Sequence, residues 1–305
     1  MYQWGQKVKA AIDIGSNSVR MLLGEVVGDQ VVPLQYFRHI TRLAGGYDPQ
    51  TGLSAEASAR TLSALETFSQ CLDQMKPVCC RAVATEAVRR AVNGEQFVTE
   101  VLRRTGISVE IIDGDEEAAL SSTGVLAGLQ PPPVAALFFD IGGGSTEFIV
   151  VKDRQHLWQK SYPLGVVSLA ERANPELVIA EMLAVLVNDL HSAGFHSLLT
   201  GTDSELVGTA GTVTTLAALD LAMTEYDWQR INNYLLSRSA LLSLYERLLP
   251  LTPSERENLS GVEKGRGDLI VHGAEIVLAL MKLFRKDQLR VSDFGLLEGI
   301  ILSMK

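Results

Sequence analysis

One pattern occurs twice in the chain and restricts the fold more than any other feature. Near the start, an apolar run from Lys9 leads into Asp13-Ile14-Gly15-Ser16-Asn17, and a second apolar run follows at once. The pattern returns at Asp140-Ile141-Gly142-Gly143-Gly144-Ser145, again with apolar runs on both sides. Each copy indicates strand, glycine turn, strand, because Gly and Asn allow the positive φ angles of a tight turn. The repeat therefore predicts two domains with related cores and a cleft between them.

The rest of the chain carries helix and strand periodicities that fit this plan. Ser54 is a predicted N-cap of a long amphipathic helix, because apolar residues follow it at steps of three and four. A third glycine turn, Gly208 to Thr212, leads into a predicted helix whose first amides can hold an anion. We predict that the first domain consists of residues 1–125 together with 293–305, and the second of residues 126–292.

Charge and composition argue against several classes of protein. Lys and Arg number 27 against 36 for Asp and Glu, and this net charge of -9 argues against a nucleic-acid partner. No apolar run is long and uninterrupted enough to span a bilayer, and the first residues do not form an apolar leader. The three cysteines, Cys71, Cys79 and Cys80, lack metal-ligand spacing, so we expect reduced, buried thiols. These features predict a cytoplasmic protein without a membrane partner, and a homodimer stays open.

The two Asp-Ile-Gly turns suit a phosphate ligand and a metal ion. A turn rich in Gly and Ser presents N–H groups that hold phosphate oxygens, and an Asp at the strand end suits Mg²⁺. Either turn alone would fit an ordinary hairpin equally well, but two with the Asp in register favour a functional role. Both turns lead to a strand rather than a helix, which argues against a Rossmann or Walker A site. Glu147, close behind the second turn, is predicted to contact the metal or a water.

Six motifs in the chain resemble, in the same order, those of the exopolyphosphatase/guanosine pentaphosphate phosphohydrolase family. They are Asp13-Ile-Gly-Ser-Asn-Ser, Thr85-Glu-Ala-Val-Arg-Arg-Ala, Ile111-Ile-Asp-Gly-Asp-Glu-Glu-Ala, Asp140-Ile-Gly-Gly-Gly-Ser-Thr-Glu, Gly208-Thr-Ala-Gly-Thr and Ser292-Asp-Phe-Gly-Leu-Leu-Glu-Gly. The resemblance implies two ribonuclease-H-like α/β domains of the actin-like superfold, with catalysis in the interdomain cleft. It also implies hydrolysis of the terminal phosphate of inorganic polyphosphate, or alternatively of guanosine pentaphosphate.

The resemblance assigns roles to particular residues. Glu117 is similar to the catalytic base, Arg89 to a phosphate-binding arginine, and Asp140 and Glu147 to the acids that hold Mg²⁺ or Mn²⁺. Glu116 is expected to act mainly at the helix N-terminus, where the helix dipole stabilises acidic residues. The glycine turns and two further arginines supply the other predicted phosphate contacts, which are Asp13, Gly15, Ser16, Asn17, Arg20, Gly143, Gly144, Ser145, Gly208, Thr209, Gly211, Thr212 and Arg266.

The sequence departs from the family pattern in two places, and two other functions stay open. Leu297 stands where many members carry a basic residue, and the match is to the short form that lacks a C-terminal helical extension. The second departure predicts weaker processivity on very long polyphosphate. One alternative is an ATP-dependent phosphotransferase of the same superfold, and the other is a non-catalytic sensor of polyphosphate or an alarmone. The Glu116-Glu117-Ala118 element favours the phosphatase, and Glu117, Asp140 and Glu147 together argue against the sensor.

Overall fold

A computed structural model describes residues 8–262 and 264–304. It divides into two compact units, and the limits of the first are Met1–Ala127 with Gly295–Lys305. The second unit is Gly128–Phe294. We refer to them as unit 1 and unit 2. Among the described residues, the helices are all too short or too polar to cross a bilayer.

Unit 1 is built on a five-stranded sheet in the order β3-β2-β1-β4-β5. The first three strands are antiparallel, and β4 and β5 continue parallel to β1. Its elements up to the boundary are β1 Lys9–Ile14, β2 Ser18–Val27, β3 Gln30–Ile40, α1 Ala55–Met75, β4 Cys79–Ala84, α2 Glu86–Arg90, α3 Gly94–Thr105, β5 Val109–Ile111 and α4 Gly114–Gly128.

Unit 2 is built on a six-stranded sheet in the order β10-β11-β9-β6-β7-β8. Its elements are β6 Ala135–Ile141, β7 Thr146–Lys152, β8 Gln155–Tyr162, α5 Val166–Ala170, α6 Pro175–Ser192, α7 His196–Thr200, β9 Ser204–Thr209, α8 Ala210–Asp220, α9 Trp228–Ile231, β10 Leu235–Ser237, α10 Arg238–Leu248, α11 Pro253–Glu257, α12 Ile270–Leu283 and β11 Gln288–Val291. The chain then returns to unit 1 with α13 Leu296–Ser303.

The two sheets repeat one topology. In each, an antiparallel meander of three strands is extended from its first strand by two parallel strands, so β6, β7, β8, β9 and β11 correspond to β1 to β5. Strand β10 is an addition at the edge of the second sheet. This arrangement confirms the predicted fold class, an α/β protein with two ribonuclease-H-like units of the actin-like type.

Each unit has its own apolar core, and the sequence explains why. Strand β1 is buried along nearly its whole length, as expected for a central strand that helices cover on both faces. In unit 1 the long helix α1 packs Phe68 against this sheet, and its N-cap is Ser54, whose Oγ accepts the Ala57 N–H at 3.2 Å. In unit 2 the apolar helix α12 lies inside the core, which fits its low content of charged residues.

The three cysteines do not follow the prediction of buried thiols. All three are free, but Cys80 is exposed and Cys71 and Cys79 are only partly buried. Cys79 and Cys80 are the first two residues of β4, and burial begins only two residues further along the strand. The partial burial of Cys71 is enough to raise the pKa of its thiol, so this side chain stays protonated at neutral pH.

Helix α13 packs on α4 through glycines that permit close contact of the two backbones. A Cβ atom on Gly299 would lie 1.8 Å from the Leu120 carbonyl oxygen, and one on Gly124 would lie 1.9 Å from the Gly295 carbonyl oxygen. Any larger residue at these positions would force the helices apart. Leu297, at the position where many family members carry a basic residue, is buried in this helix.

Candidate active site

The two Asp-Ile-Gly turns have the same internal geometry. In unit 1 the Gly15 N–H donates to the Ser18 carbonyl at 3.0 Å, and in unit 2 the Gly142 N–H donates to the Ser145 carbonyl at 2.9 Å. Each turn joins two antiparallel strands at the end where the parallel strands of the sheet also finish. In this class of fold, ligands bind outside the carboxyl ends of the strands. The repeat seen in the sequence is therefore a repeat of one local structure.

Neighbouring segments fix the orientation of the peptide groups in both turns. The Ser16 carbonyl accepts the Ala44 N–H at 2.9 Å, and the Gly142 and Gly143 carbonyls accept the Val166 and Val167 N–H groups at 3.1 and 2.9 Å. In a trans peptide, the carbonyl and the following N–H point in opposite directions. The N–H groups of Asn17, Gly143 and Gly144 are therefore directed away from these segments, an orientation that suits phosphate oxygens.

The residue opposite the aspartate distinguishes the two turns. Asp13 pairs with Arg20 across β1 and β2, whereas Asp140 pairs with Glu147 across β6 and β7. Directly opposed residues of this kind have their Cβ atoms about 5 Å apart on one face of the sheet. The first turn thus combines opposite charges, and the second brings two carboxylates together. The difference predicts an anion at the first turn and a cation at the second.

Asp13 and Arg20 form a close ion pair at the first turn. The Arg20 Nε and Nη2 donate to Asp13 Oδ2 at 2.9 and 2.5 Å. Asp13 is 3% exposed, and its second oxygen, Oδ1, is buried without a hydrogen-bond partner among the described residues. A buried carboxylate oxygen of this kind needs a polar partner. Asp13 therefore serves first to hold Arg20, and direct contact of Asp13 with a phosphate stays a prediction.

The second turn carries the candidate metal ligands. Glu147 Oε1 accepts hydrogen bonds from Ser145 Oγ at 2.6 Å and Ser161 Oγ at 2.8 Å, and Ser161 lies directly opposite Glu147 on β8. Like charges directly opposed on a sheet are destabilising without a cation. Mg²⁺ binds with one or two carboxylates and completes its octahedron with waters and substrate phosphates. No group of three or more acidic, His or Cys ligands is found in the described part of the chain. Because magnesium takes one or two protein carboxylates, the opposed pair of Asp140 and Glu147 is a donor set that fits it.

Arg89 and Glu117 meet at the carboxyl ends of β4 and β5 in unit 1. Arg89 Nη1 donates to Glu117 Oε2 at 3.0 Å and to the Ile112 carbonyl at 2.9 Å, while its Nη2 donates to Glu86 Oε2 at 3.0 Å. Burial lowers the pKa of the Arg89 guanidinium, but the hydrogen bond and charge of Glu117, with those of Glu86, outweigh this effect and raise that pKa. These contacts use three of the five guanidinium N–H groups, which leaves donors for a phosphate.

The adjacent glutamates Glu116 and Glu117 bind different arginines. Glu116 Oε1 accepts from Arg81 Nη2 at 2.5 Å, and Arg81 also binds Glu110 at 2.8 Å. The hydrogen bond that Arg81 donates to Glu110 raises the pKa of Arg81, burial opposes this rise, and the bond to Glu116 adds to it. The Glu116 N–H donates to Asp113 Oδ1 at 2.8 Å, so Asp113 caps α4. Successive residues of a helix point about 100° apart, and here only Glu117 shares a site with Arg89.

The third glycine turn lies beside the second one, but its threonine hydroxyls donate to backbone carbonyls of the protein. Asp140 and Thr209 are register partners on β6 and β9. Thr209 Oγ1 donates to the Phe294 carbonyl at 2.8 Å, and Thr212 Oγ1 to the Ile141 carbonyl at 3.2 Å. A Cβ on Gly208 would lie 2.7 Å from the Phe139 ring, so this glycine serves packing. The hydroxyl protons of Thr209 and Thr212 are therefore not directed at a ligand, and phosphate contact here would fall to backbone amides.

Arg266 lies over the start of α8. A Cβ on Gly211 would lie 1.9 Å from Arg266 Nη2, so only glycine leaves room for the guanidinium at this point. Arg266 Nη1 is 3.4 Å from Thr215 Oγ1, one turn into the helix. A cation at a helix N-terminus is opposed by the helix dipole, whereas an anion there is favoured. Binding of a phosphate by Arg266 stays a prediction.

Comparison with known proteins gives the family. The model of the Ppx/GppA phosphatase family matches residues 24–305. The chain belongs to this family. Among curated proteins, Exopolyphosphatase 2 of Mycobacterium tuberculosis is 34% identical over 312 residues, which cover 97% of this chain and 98% of that protein.

Solved structures of family members share the fold over nearly the whole chain. An exopolyphosphatase from Cytophaga hutchinsonii has a TM-score of 0.86 at 27% identity, with 98% of this chain and 97% of that chain covered. The Ppx/GppA family member of Aquifex aeolicus has a TM-score of 0.77 at 30% identity, and 97% of each chain is covered. The comparisons thus confirm the family resemblance that six short motifs indicated, and with it a hydrolase acting on phosphoanhydride bonds.

Sequence reasoning missed two residues of the site. Ser161 donates to Glu147 from β8, and Glu86 binds Arg89 from one turn earlier in α2. The spacing of Glu86 and Arg89, three residues apart on a helix, was a usable signal for an ion pair. Ser161 had no such signal, because its place depends on the register of β8 beyond an irregularity between Val150 and Val151.

Replacement of Arg89 tests the phosphate-binding prediction. We expect Arg89→Ala to weaken substrate binding by about 1.5–3 kcal/mol, the range for hydrogen bonds to charged groups. Arg89→Lys restores only part of this, because an ammonium keeps the charge but loses the planar fork. The measurement is the KM and kcat of phosphate release.

Arg90 provides the matched control for this prediction. It is the next residue, binds the same Glu86 at 3.0 Å, and its side chain is 61% exposed. Arg90→Ala should leave both kinetic constants close to those of the parent, since exposed ion pairs contribute little. Unchanged constants in Arg89→Ala would show that another arginine binds the phosphate.

Proposed function

We propose that this protein is an exopolyphosphatase that removes the terminal phosphate of inorganic polyphosphate by metal-assisted, in-line attack of water. The observation that carries the proposal is the similarity to Exopolyphosphatase 2 of Mycobacterium tuberculosis over 97% of this chain. The candidate catalytic base in unit 1 and the candidate metal ligands in unit 2 support it. Hydrolysis of a polyanion mainly requires charge neutralisation and a positioned water.

The proposed roles divide between the two units. In unit 1, Glu117 accepts the proton of the attacking water, and the hydrogen bond from Arg89 orients its carboxylate. Arg89 and Arg20 bind phosphoryl oxygens through N–H groups in a planar, bidentate geometry. In unit 2, the amides of Gly143 and Gly144 bind phosphate oxygens, and Asp140 and Glu147 hold the metal.

Magnesium or manganese is the proposed cofactor of unit 2. When bound, it supplies charge neutralisation and polarisation of the phosphoryl group. Ser145 and Ser161 fix the Glu147 carboxylate in the orientation seen here, through bonds of 2.6 and 2.8 Å. Groups that orient a metal ligand in this way contribute to metal affinity although they do not touch the ion.

A parallel substrate assay tests the proposed activity. We expect faster phosphate release, as kcat/KM, from inorganic polyphosphate than from guanosine pentaphosphate or ATP, in the presence of Mg²⁺. The assay compares long polyphosphate, short polyphosphate and the two nucleotides at equal enzyme concentration. A higher kcat/KM for guanosine pentaphosphate would instead assign the 5'-phosphohydrolase activity, and transfer of phosphate from ATP to an acceptor would indicate the phosphotransferase. Binding of polyphosphate without any release would indicate the sensor.

A further inference from the structure

A cavity of about 970 Å³ lies in unit 2 at the end of the sheet away from the glycine turns. Its walls include Ser204 and Gln288, which begin strands β9 and β11, and part of β10. Along β9 the lining extends from Ser204 to Leu206, and the third glycine turn begins two residues further on, at Gly208. The volume falls within the range of small-molecule sites. None of the predicted catalytic or phosphate-binding residues lines it.

The cavity is positively charged in a chain that is negative overall. Its lining includes Arg238, Arg285, Lys286 and Arg290 with only Glu205 and Asp287 as acids. The formal excess is thus two positive charges, against a net charge of -9 for the whole chain. A concave wall with one sign of charge concentrates ligands of the opposite sign.

Two of the four cations are held in place by the protein. Arg290 Nε binds Glu205 Oε2 at 2.8 Å. Lys286 Nζ donates to the carbonyls of Gly201 and Ser204 at 2.6 and 2.7 Å. These acceptors are neutral. Burial lowers the pKa of Lys286, and the nearby charges of Asp203 and Glu205 oppose this effect without reversing it. The protein thus keeps a partly buried positive charge at the wall of the cavity.

The other two cations that line the cavity are Arg238 and Arg285. Both are exposed, and no hydrogen bond or ion pair of either guanidinium is found within residues 8–262 and 264–304. Arg238 is the first residue of α10, which Ser237 caps. The dipole of a helix opposes a cation at this position. A bound anion near Arg238 would interact favourably with the dipole of α10. It would also offset the charge of Lys286.

We propose that this cavity binds a condensed phosphate, that is, two or more linked phosphoryl groups, at a site separate from the catalytic turns. The guanidinium groups of Arg238 and Arg285 match phosphate oxygens in a bidentate manner. Leu235 and Leu242, which are 50% and 46% exposed, add an apolar wall beside them. This lining accommodates either a segment of an inorganic phosphate chain or the phosphates of a nucleotide. The assignment does not depend on the proposed exopolyphosphatase activity.

Hydrogen–deuterium exchange of the full chain tests the site with two analogues that resist hydrolysis. Methylenediphosphonate represents the inorganic chain, and α,β-methylene-ADP carries the same diphosphonate on a nucleoside. We expect both to slow exchange in peptides that cover residues 235–242 and 285–290. In the double variant Arg238→Ala/Arg285→Ala, the concentration needed for this protection rises by about tenfold or more. Protection of the glycine turns stays as in the parent, which separates this site from the catalytic one.

Arg247 supplies the matched control, because it is an exposed arginine of the same helix α10 that does not line the cavity. Arg247→Ala should keep the protection of the parent chain. Protection by α,β-methylene-ADP alone would support the site and identify its ligand as a nucleotide. Absence of protection with both analogues at concentrations that protect the glycine turns, or equal protection in the double variant, would overturn the proposal. Failure of the glycine turns to respond would count against the proposed function and not against this site.

Discussion

Replacing Glu117 with glutamine is expected to lower kcat by on the order of 10²–10⁴ while fold and substrate affinity stay nearly intact. In the parent chain, Glu117 accepts a hydrogen bond of 3.0 Å from Arg89. Glutamine retains an oxygen that can accept this bond, so the side chain should keep its position. What it loses is the carboxylate that takes a proton from the attacking water. The measurement is kcat and KM of phosphate release, with the melting temperature recorded for each variant.

Glu116 is the control that the structure offers for this prediction. It is the adjacent residue, and its carboxylate binds Arg81 at 2.5 Å rather than Arg89. Glu116→Gln removes one partly exposed ion pair, which costs at most about 1 kcal/mol of stability and leaves kcat nearly unchanged. A larger loss of kcat in Glu116→Gln than in Glu117→Gln would transfer the base to Glu116. If neither variant changes kcat at unaltered stability, α4 does not supply the base.

Removal of the metal is expected to abolish phosphate release altogether. EDTA should stop the reaction and added Mg²⁺ or Mn²⁺ should restore it, because two opposed carboxylates and a polyanionic substrate need a cation between them. Glu147→Gln should reduce the affinity for Mn²⁺, measured without substrate by electron paramagnetic resonance, so the result does not depend on turnover. Full activity in metal-free buffer would disprove the metal assignment.

Ser161 allows a graded test of the same site. Ser161→Ala removes one of the two hydroxyls that donate to Glu147 Oε1 and leaves both predicted ligands in place. Loss of a group that orients a ligand typically costs about 10–100-fold in metal affinity or activity, and we expect the lower end because Ser145 remains. Ser197→Ala, an exposed serine of the same unit, should not change Mn²⁺ binding. Equal affinity in Ser161→Ala and the parent would mean that Ser145 alone orients Glu147.

The repeated turn made much of the fold predictable. Asp13 and Asp140 each end a strand followed by a glycine turn and a second strand, and the two sheets repeat one topology around them. Local signals of this kind, including the N-cap at Ser54, depend on neighbouring residues in the sequence and can be seen there. The fold class and the family were therefore available before any coordinates.

Contacts between distant segments were not predictable in the same way. The bond between Arg89 and Glu117 requires β4 and β5 to lie side by side, and the bond between Ser161 and Glu147 requires the register of β8. Thr209 and Thr212 were predicted phosphate contacts, yet the hydroxyl of each donates to a carbonyl far away in the sequence. Pairing of this kind follows from tertiary packing and not from the periodicity of one segment.

The late return of the chain to unit 1 has a consequence for the order in which the protein folds. On the ribosome, α4 is made early but its packing partner α13 comes only after all of unit 2. If unit 2 were unfolded, bringing its two ends together so that α4 and α13 could meet would cost conformational entropy. Folded unit 2 removes that cost, because it holds its own ends together: the Phe294 ring lies within contact distance of Gly128, and Asn232 and Asn233 bind the Gly128 carbonyl. The folded inserted unit thus brings its two flanking segments together, and the helix that carries Glu117 becomes fully packed only after unit 2 has been made.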